Sequence, residues 1–252
     1  MTEMPAEPRV RVFQDPDAVA RAAANEFARL AAARAEAAGT FNVALSGGST
    51  PRRLFTLLAG EPYAGQVPWT HVQFFWGDER TVPPGHPDSN YGMAREALLS
   101  RVPSPAANVH RIQGELDPDE AARAYESEIR HCFQLGAEQL PRFDLALLGM
   151  GADGHTASLF PGSPALREQR RLVVAPWVEK LETRRVTLTC PVFNNAAFIL
   201  FLVTGADKAE TLRAVLEGPG DRYPAQLIRP AQGELYWYID SAAGRLLEGG
   251  GR

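Results

Sequence analysis

His155 is the residue of this chain best suited to move a proton at neutral pH. It closes the run FDLALLGMGADGH (143–155), two residues after Asp153 and just beyond Gly149, Gly151 and Gly154. An unperturbed imidazole titrates near pH ~6.5, so it can take and return a proton in the neutral range. Asp153 can orient the ring or hold its charge, and the spacing does not decide between these roles. The apolar residues 143–148 read as a buried strand that stops at the glycines. A strand ending in a flexible turn that carries an acid and an imidazole is where an open α/β sheet keeps its chemistry.

Three further polar clusters each follow an apolar run. Ser46-Gly47-Gly48-Ser49-Thr50 precedes Pro51, where a helix is expected to start. Backbone N–H groups, hydroxyls and a helix N-terminus together favour an anion such as phosphate. The cluster lacks the Gly-Lys-Ser/Thr ending of a P-loop. Asp78, Glu79 and Arg80 follow the run HVQFFW (71–76). Arg80 can pair with either neighbouring acid, or its planar fork can grip a phosphate, which is the reading adopted. Lys208, at the head of a helix after Thr204, is a further cation of this kind.

Other chemistries fit less well. Residues 149–154 formally match G-x-G-x-x-G, but a dinucleotide loop needs a long helix at the third glycine and an acid at the end of the next strand. Pro161 and Pro164 interrupt that helix, and LVVA (172–175) carries no acid. A Ser-His-Asp hydrolase lacks its G-x-S-x-G elbow. No metal is expected at His155, which has no second ligand at helical spacing. His71, His110 and His131 read as hydrogen-bonded structural histidines, and His86 stays undecided. Cys132 and Cys190 read as buried free thiols without metal-ligand spacing.

Bringing the four clusters together is the task of the elements around them. Strands are expected at 10–13, 41–45, 71–76, 143–148, 172–175, 186–189, 197–203 and 235–239. Helices are expected after the Asp15-Pro16 start signal, from 51, at 91–99, at 118–133 and at 209–216. This alternation predicts a single α/β domain over 1–252, with a mainly parallel sheet and helices on both faces. Parallel strands would gather the four clusters at one sheet edge. The loop 81–90, rich in proline and without an element of its own, is a lid candidate.

Composition bounds the partners. The chain has 252 residues and a net charge of −4, with no dense basic run. This speaks against nucleic acid or an anionic membrane as the main partner, and leaves a small anionic substrate open. The N-terminal residues do not read as a signal peptide, and charged residues interrupt the Ala-rich stretch 18–38. A cytoplasmic location is expected. The oligomeric state is open.

The blocks SGGSTPRRLF (46–55), WGDERTVPPGHPDSNYGMA (76–94), LLGMGADGHTASLFPG (147–162) and VTGADKAETL (203–212) resemble those of 6-phosphogluconolactonases. The resemblance spans most of the chain, in order. It implies a Rossmann-like fold and metal-free, cofactor-free hydrolysis of 6-phospho-D-glucono-1,5-lactone, the second step of the oxidative pentose phosphate pathway. It also implies that His155 is the general base, that Asp153 and Asp78 line the site, and that Ser46, Gly47, Gly48, Ser49, Thr50, Arg80 and Lys208 hold the phosphate, with Arg185 as an addition. Glucosamine-6-phosphate deaminases are similar in three of these regions, but carry a glutamate shortly after the histidine. Phe160 stands there in this chain and cannot transfer a proton, which favours the lactonase. A sugar-phosphate sensor without catalysis is the third reading.

Overall fold

The runs Leu145–Leu148 (LALL) and Phe198–Val203 (FILFLV) are buried at every position. Unbroken apolar sequence of this kind belongs to strands covered on both faces. Each such side chain contributes about 1.5–3 kcal/mol when fully buried. The computed structural model describes residues 8–37 and 39–248. It places these two strands side by side at the centre of a six-stranded sheet.

The first half of the chain supplies β1 (Arg9–Phe13), α1 (Pro16–Glu36), β2 (Phe41–Leu45), α2 (Ser49–Leu58), α3 (Tyr63–Gln66), β3 (Val72–Trp76), β4 (Asp78–Arg80), α4 (Asn90–Ala94) and α5 (Pro118–Cys132). The second half supplies β5 (Leu145–Leu148), β6 (Val173–Val174), β7 (Trp177–Val178), β8 (Thr183–Leu188), α6 (Cys190–Asn194), β9 (Phe198–Val203), α7 (Ala209–Glu217) and β10 (Glu234–Asp240). The main sheet has the order β1-β10-β9-β5-β2-β3, and every pairing in it is parallel. From β2 the chain moves outward to β3, whereas from β5 it moves the opposite way to β9. The crevice at this reversal opens between the carboxyl ends of β2 and β5, where open α/β sheets bind ligands.

Helices cover both faces, as the alternation of β3 shows. Phe74 stacks with Trp69, which lies against Phe27 of α1. Its neighbour Phe75 points to the other face and meets Phe133, just beyond α5, and Phe143. The N-terminus of α1 forms as expected, with Asp15 accepting from the Ala18 N–H at 2.7 Å and Pro16 in the first turn. The helix expected from Pro51 begins two residues earlier, at Ser49. The one expected at 91–99 is α4 followed by a π-turn at Arg95–Leu99.

The expected strands at 172–175 and 186–189 do not join the parallel sheet. They correspond to β6 and β8, which form a small antiparallel sheet with β4, while β7 pairs with β8. Gly77 joins the two sheets: its N–H donates to Leu45 O and its carbonyl accepts from the Leu188 N–H, both at 2.8 Å. The chain therefore passes from β3 into β4 without a loop, and Asp78 and Arg80 stand over the carboxyl edge of the main sheet.

Candidate active site

His155 is fixed by two contacts made within its own turn. Its Nδ1 lies 2.5 Å from Asp153 Oδ1, and its ring stacks on Phe160 with centroids 4.2 Å apart. Gly151 is what allows the first contact, since a Cβ there would lie 2.1 Å from His155 Nδ1. Lys180 Nζ donates to the second carboxylate oxygen of Asp153 at 3.0 Å. Burial opposes the charge on Asp153, but the hydrogen bonds from His155 and Lys180 outweigh it and hold the carboxyl well below the usual range. The carboxylate thus stays ionised, and Nε2 of His155 has no hydrogen-bond partner among the described residues.

Asp78 is buried and ties three segments together. Its Oδ2 accepts from Ser158 Oγ at 2.7 Å, and its Oδ1 lies 3.3 Å from Asn90 Nδ2. Asn90 also donates to Asp78 O at 2.9 Å. It crowds the glycine loop so closely that a Cβ on Gly47 would lie 1.8 Å from Asn90 Oδ1. Asp78 thereby locks the turn that follows His155 to the start of α4. Glu79, beside it, accepts from the Arg80 N–H (2.8 Å), the Asn90 N–H (2.7 Å), the Tyr91 N–H (2.8 Å) and Ser89 Oγ (3.0 Å). Burial raises its pKa against the pull of those donors.

Arg80 forms no ion pair with Asp78 or Glu79; its Nη1 donates to Asp88 O at 2.7 Å. Across the small sheet it is in register with Arg185. Burial, and then the charge of Arg80, lower the pKa of Arg185. The register thus places two cationic residues, one of them half-buried, opposite each other, with the charges of Asp78, Asp88 and Glu79 partly offsetting their repulsion. A cavity of about 190 Å³ at the carboxyl ends of β2, β3 and β5 is lined by Ser46, Gly47, Gly48, Asp78, Arg80, Asn90, Met150, His155 and Ala157, with Gly149 and Gly151. One cavity thus joins an acid–base group, a glycine loop and a cation.

A family model described as glucosamine-6-phosphate isomerases/6-phosphogluconolactonase matches residues 14–237. The chain belongs to that family. It is 45% identical over 212 residues to a Synechocystis protein named 6-phosphogluconolactonase, covering 83% of this chain and 85% of that protein. A 6-phosphogluconolactonase of Rattus norvegicus is 40% identical over 247 residues, covering 96% and 95%. Among solved structures, 6-phosphogluconolactonase from Trypanosoma cruzi superimposes with a TM-score of 0.87 at 30% identity, covering 98% of this chain and 99% of that one.

Of the site residues expected in this member of the family, His155, Asp78, Arg80, Ser46, Gly47 and Gly48 line the cavity, and Asp153 holds His155. The remaining four do not line it. Thr50 is buried, with its hydroxyl 2.9 Å from that of Thr204, and Ser49 is exposed on the first turn of α2. Lys208 Nζ lies 2.7 Å from Asp207 Oδ2. Arg185 is the register partner of Arg80 across the small sheet. His86 turns onto its own loop, where Nδ1 accepts from the Asp88 N–H at 3.1 Å.

Sequence reasoning missed Asn90, Ser158 and Lys180. Asn90 and Ser158 lie within the blocks that carry the family resemblance, but nothing in their spacing points to Asp78. Lys180 lies outside those blocks. The cysteine reading needs correction as well: Cys190 is buried but Cys132 is exposed, because it falls on the outer side at the last turn of α5. Partial burial and then the charge of Glu128 push its thiol up to about 11, so it is not a reactive thiolate.

Proposed function

We propose that this chain hydrolyses 6-phospho-D-glucono-1,5-lactone to 6-phosphogluconate, with His155 as general base. What carries the reading is the Asp153–His155 pair, whose imidazole lines a cavity also lined by Arg80 and the 46–48 loop. Nε2 takes a proton from water as the oxygen attacks the lactone carbonyl. The imidazolium then returns the proton to the ring oxygen as the carbon–oxygen bond breaks, leaving a carboxylic acid that ionises. Asp153 stays charged throughout and balances the imidazolium. Asp78 acts as a positioning group, holding Ser158 and Asn90. Arg80, with Arg185 as its register partner, and the 46–48 N–H groups take the phosphate.

Nothing in this sequence of steps calls for a metal or cofactor, since water and one imidazole suffice. The isomerisation of amino-sugar phosphates, known in the same family, needs an acid beyond the histidine. Phe160 lies flat on His155 and supplies none. A cytoplasmic setting and a single domain over 1–252 belong to the same proposal. Both cysteines are free, and among the described residues no helix is long and apolar enough to cross a membrane.

Purified protein should accelerate acid release from 6-phosphogluconolactone well above the buffer blank, with chelator present. His155→Ala should lower kcat by about 10²–10⁴, the usual worth of a general base, with little change in KM. Rates equal to the blank, or full turnover in His155→Ala, would refute the proposal. Ammonia release from glucosamine-6-phosphate, run in parallel, tests the isomerase-type alternative.

A further inference from the structure

His110, Glu128 and Cys132 meet at the other end of the sheet, away from the lactone cavity. Glu128 and Cys132 are one turn apart at the end of α5 and project from the same side of it. His110 arrives from a segment alongside the edge strand β3, its N–H donating to Phe74 O at 2.9 Å. Nδ1 of His110 lies 2.7 Å from Glu128 Oε1 and 3.4 Å from Cys132 Sγ, and that sulfur lies 3.6 Å from Glu128 Oε1. We infer that these three side chains form a binding site for a zinc-class divalent cation, separate from the catalytic centre.

Three observations support this inference. The first is the donor set: one sulfur, one imidazole nitrogen and one carboxylate oxygen match the borderline character of Zn²⁺. All three ligand atoms lie within 4.8 Å of one another. Tetrahedral zinc with such ligands sets them roughly 3.3–3.6 Å apart, by simple geometry from its bond lengths. The two sulfur distances already agree with this. Only the nitrogen–oxygen separation must widen, and Glu128, exposed at the surface, is free to move.

The second is the way His110 is held. Its ring stacks on Phe75 with centroids 4.4 Å apart, and its Nε2 lies 2.9 Å from Gln73 Oε1. With Nε2–H donating to that carbonyl oxygen, the ring is in the tautomer that leaves Nδ1 as the lone-pair nitrogen facing Glu128 and Cys132. This is the outer-shell arrangement that orients metal-bound histidines.

The third is access. The cluster opens onto a cleft of about 750 Å³, also lined by Thr40, Asn42, His131 and Gln134. Asn42 and Gln73 are the second residues of β2 and β3, so the cleft lies at the amino ends of these strands. Solvent can supply the remaining coordination position. A Cys-His nucleophile fits poorly here, since Glu128 and Cys132 face the same ring nitrogen and no acid orients the ring from behind. Binding would release the Cys132 thiol proton to solvent.

The test uses the full chain, stripped with chelator and titrated with Zn²⁺ against a chromophoric chelator, then with Co²⁺ by absorption. Wild type should bind one equivalent and show a thiolate-to-Co²⁺ charge-transfer band. Cys132→Ser should lose the band, and Glu128→Gln, at an exposed position that leaves the fold intact, should weaken Zn²⁺ binding at least tenfold. Lactone hydrolysis should be unchanged in both variants, so the result is independent of the proposed activity. Less than one equivalent bound by wild type, or band and stoichiometry retained in Cys132→Ser, would overturn the inference.

Discussion

The imidazole of His155 lies nearly flat on the ring of Phe160, with 20° between the planes. Asp153 fixes the edge of the imidazole and Phe160 fixes one face, which leaves the ring a single orientation. An aromatic pair is worth about 0.5–1.5 kcal/mol beyond the area it buries. Phe160→Ala should therefore lower kcat by up to about tenfold while KM and the melting temperature stay close to wild type. Steady-state lactonase kinetics would show this. An unchanged kcat would mean that the Asp153 bond orients the ring unaided.

Asp153→Asn should lower kcat by about 10²–10⁴, because an amide can present N–H to Nδ1 and reverse the tautomer. Lys180→Met should have a smaller effect, since Lys180 is mostly exposed. The same carboxylate makes stability depend on pH. Its folded pKa is depressed below the unfolded value of ~3.9, so its contribution is present above that pH and lost as pH falls through the folded value. Urea midpoints for wild type and Asp153→Asn, compared at neutral and strongly acidic pH, should converge as pH falls. A constant gap would show that Asp153 does not carry this dependence.

Arg185 provides a test of phosphate binding away from the reacting atoms. It is the half-buried register partner of Arg80, its charge disfavoured by burial and by that neighbour, and a bound dianion would offset the repulsion between the two. A hydrogen bond to a charged group is worth about 1.5–3 kcal/mol, so Arg80→Ala, which removes a side chain lining the cavity, should raise KM about 10–100-fold, and Arg185→Ala, which acts through Arg80, should raise it by less. Turnover of unphosphorylated gluconolactone should barely change. Equal losses on both substrates would place these residues in the chemistry instead.

Glu79 holds the end of the 81–90 loop by accepting from four donors. Glu79→Ala should leave buried N–H groups unpaired, at about 1–3 kcal/mol for each group that water cannot reach. The melting temperature should fall and proteolysis should begin within 81–90. A stable, protease-resistant Glu79→Ala would show that the loop is held by other contacts. Either result bears on the lid reading, because a loop pinned at Glu79 and by Arg80 to Asp88 O can open only at its exposed middle.

The Asp153–His155 pair and the parallel core were legible in the sequence because both are local. Strands such as 41–45 and 198–203 announce themselves by composition, and parallel strands bring the clusters that follow them to one edge, wherever each strand sits in the sheet. His155 and Asp153 share one turn, so two residues of spacing suffice to pair them. Contacts made across the fold were not legible. Ser158 meets Asp78 from eighty positions away, Arg185 faces Arg80 only because β8 runs antiparallel to β4, and His110 reaches Cys132 across the edge of β3. Apolar runs at 172–175 and 186–189 say that strands exist but not which sheet they join. That choice is made by backbone pairing at Gly77, where no side chain leaves a signal. Residue types and short spacings determined the candidate groups and the core strands. Strand register and packing across the fold decided which groups surround it.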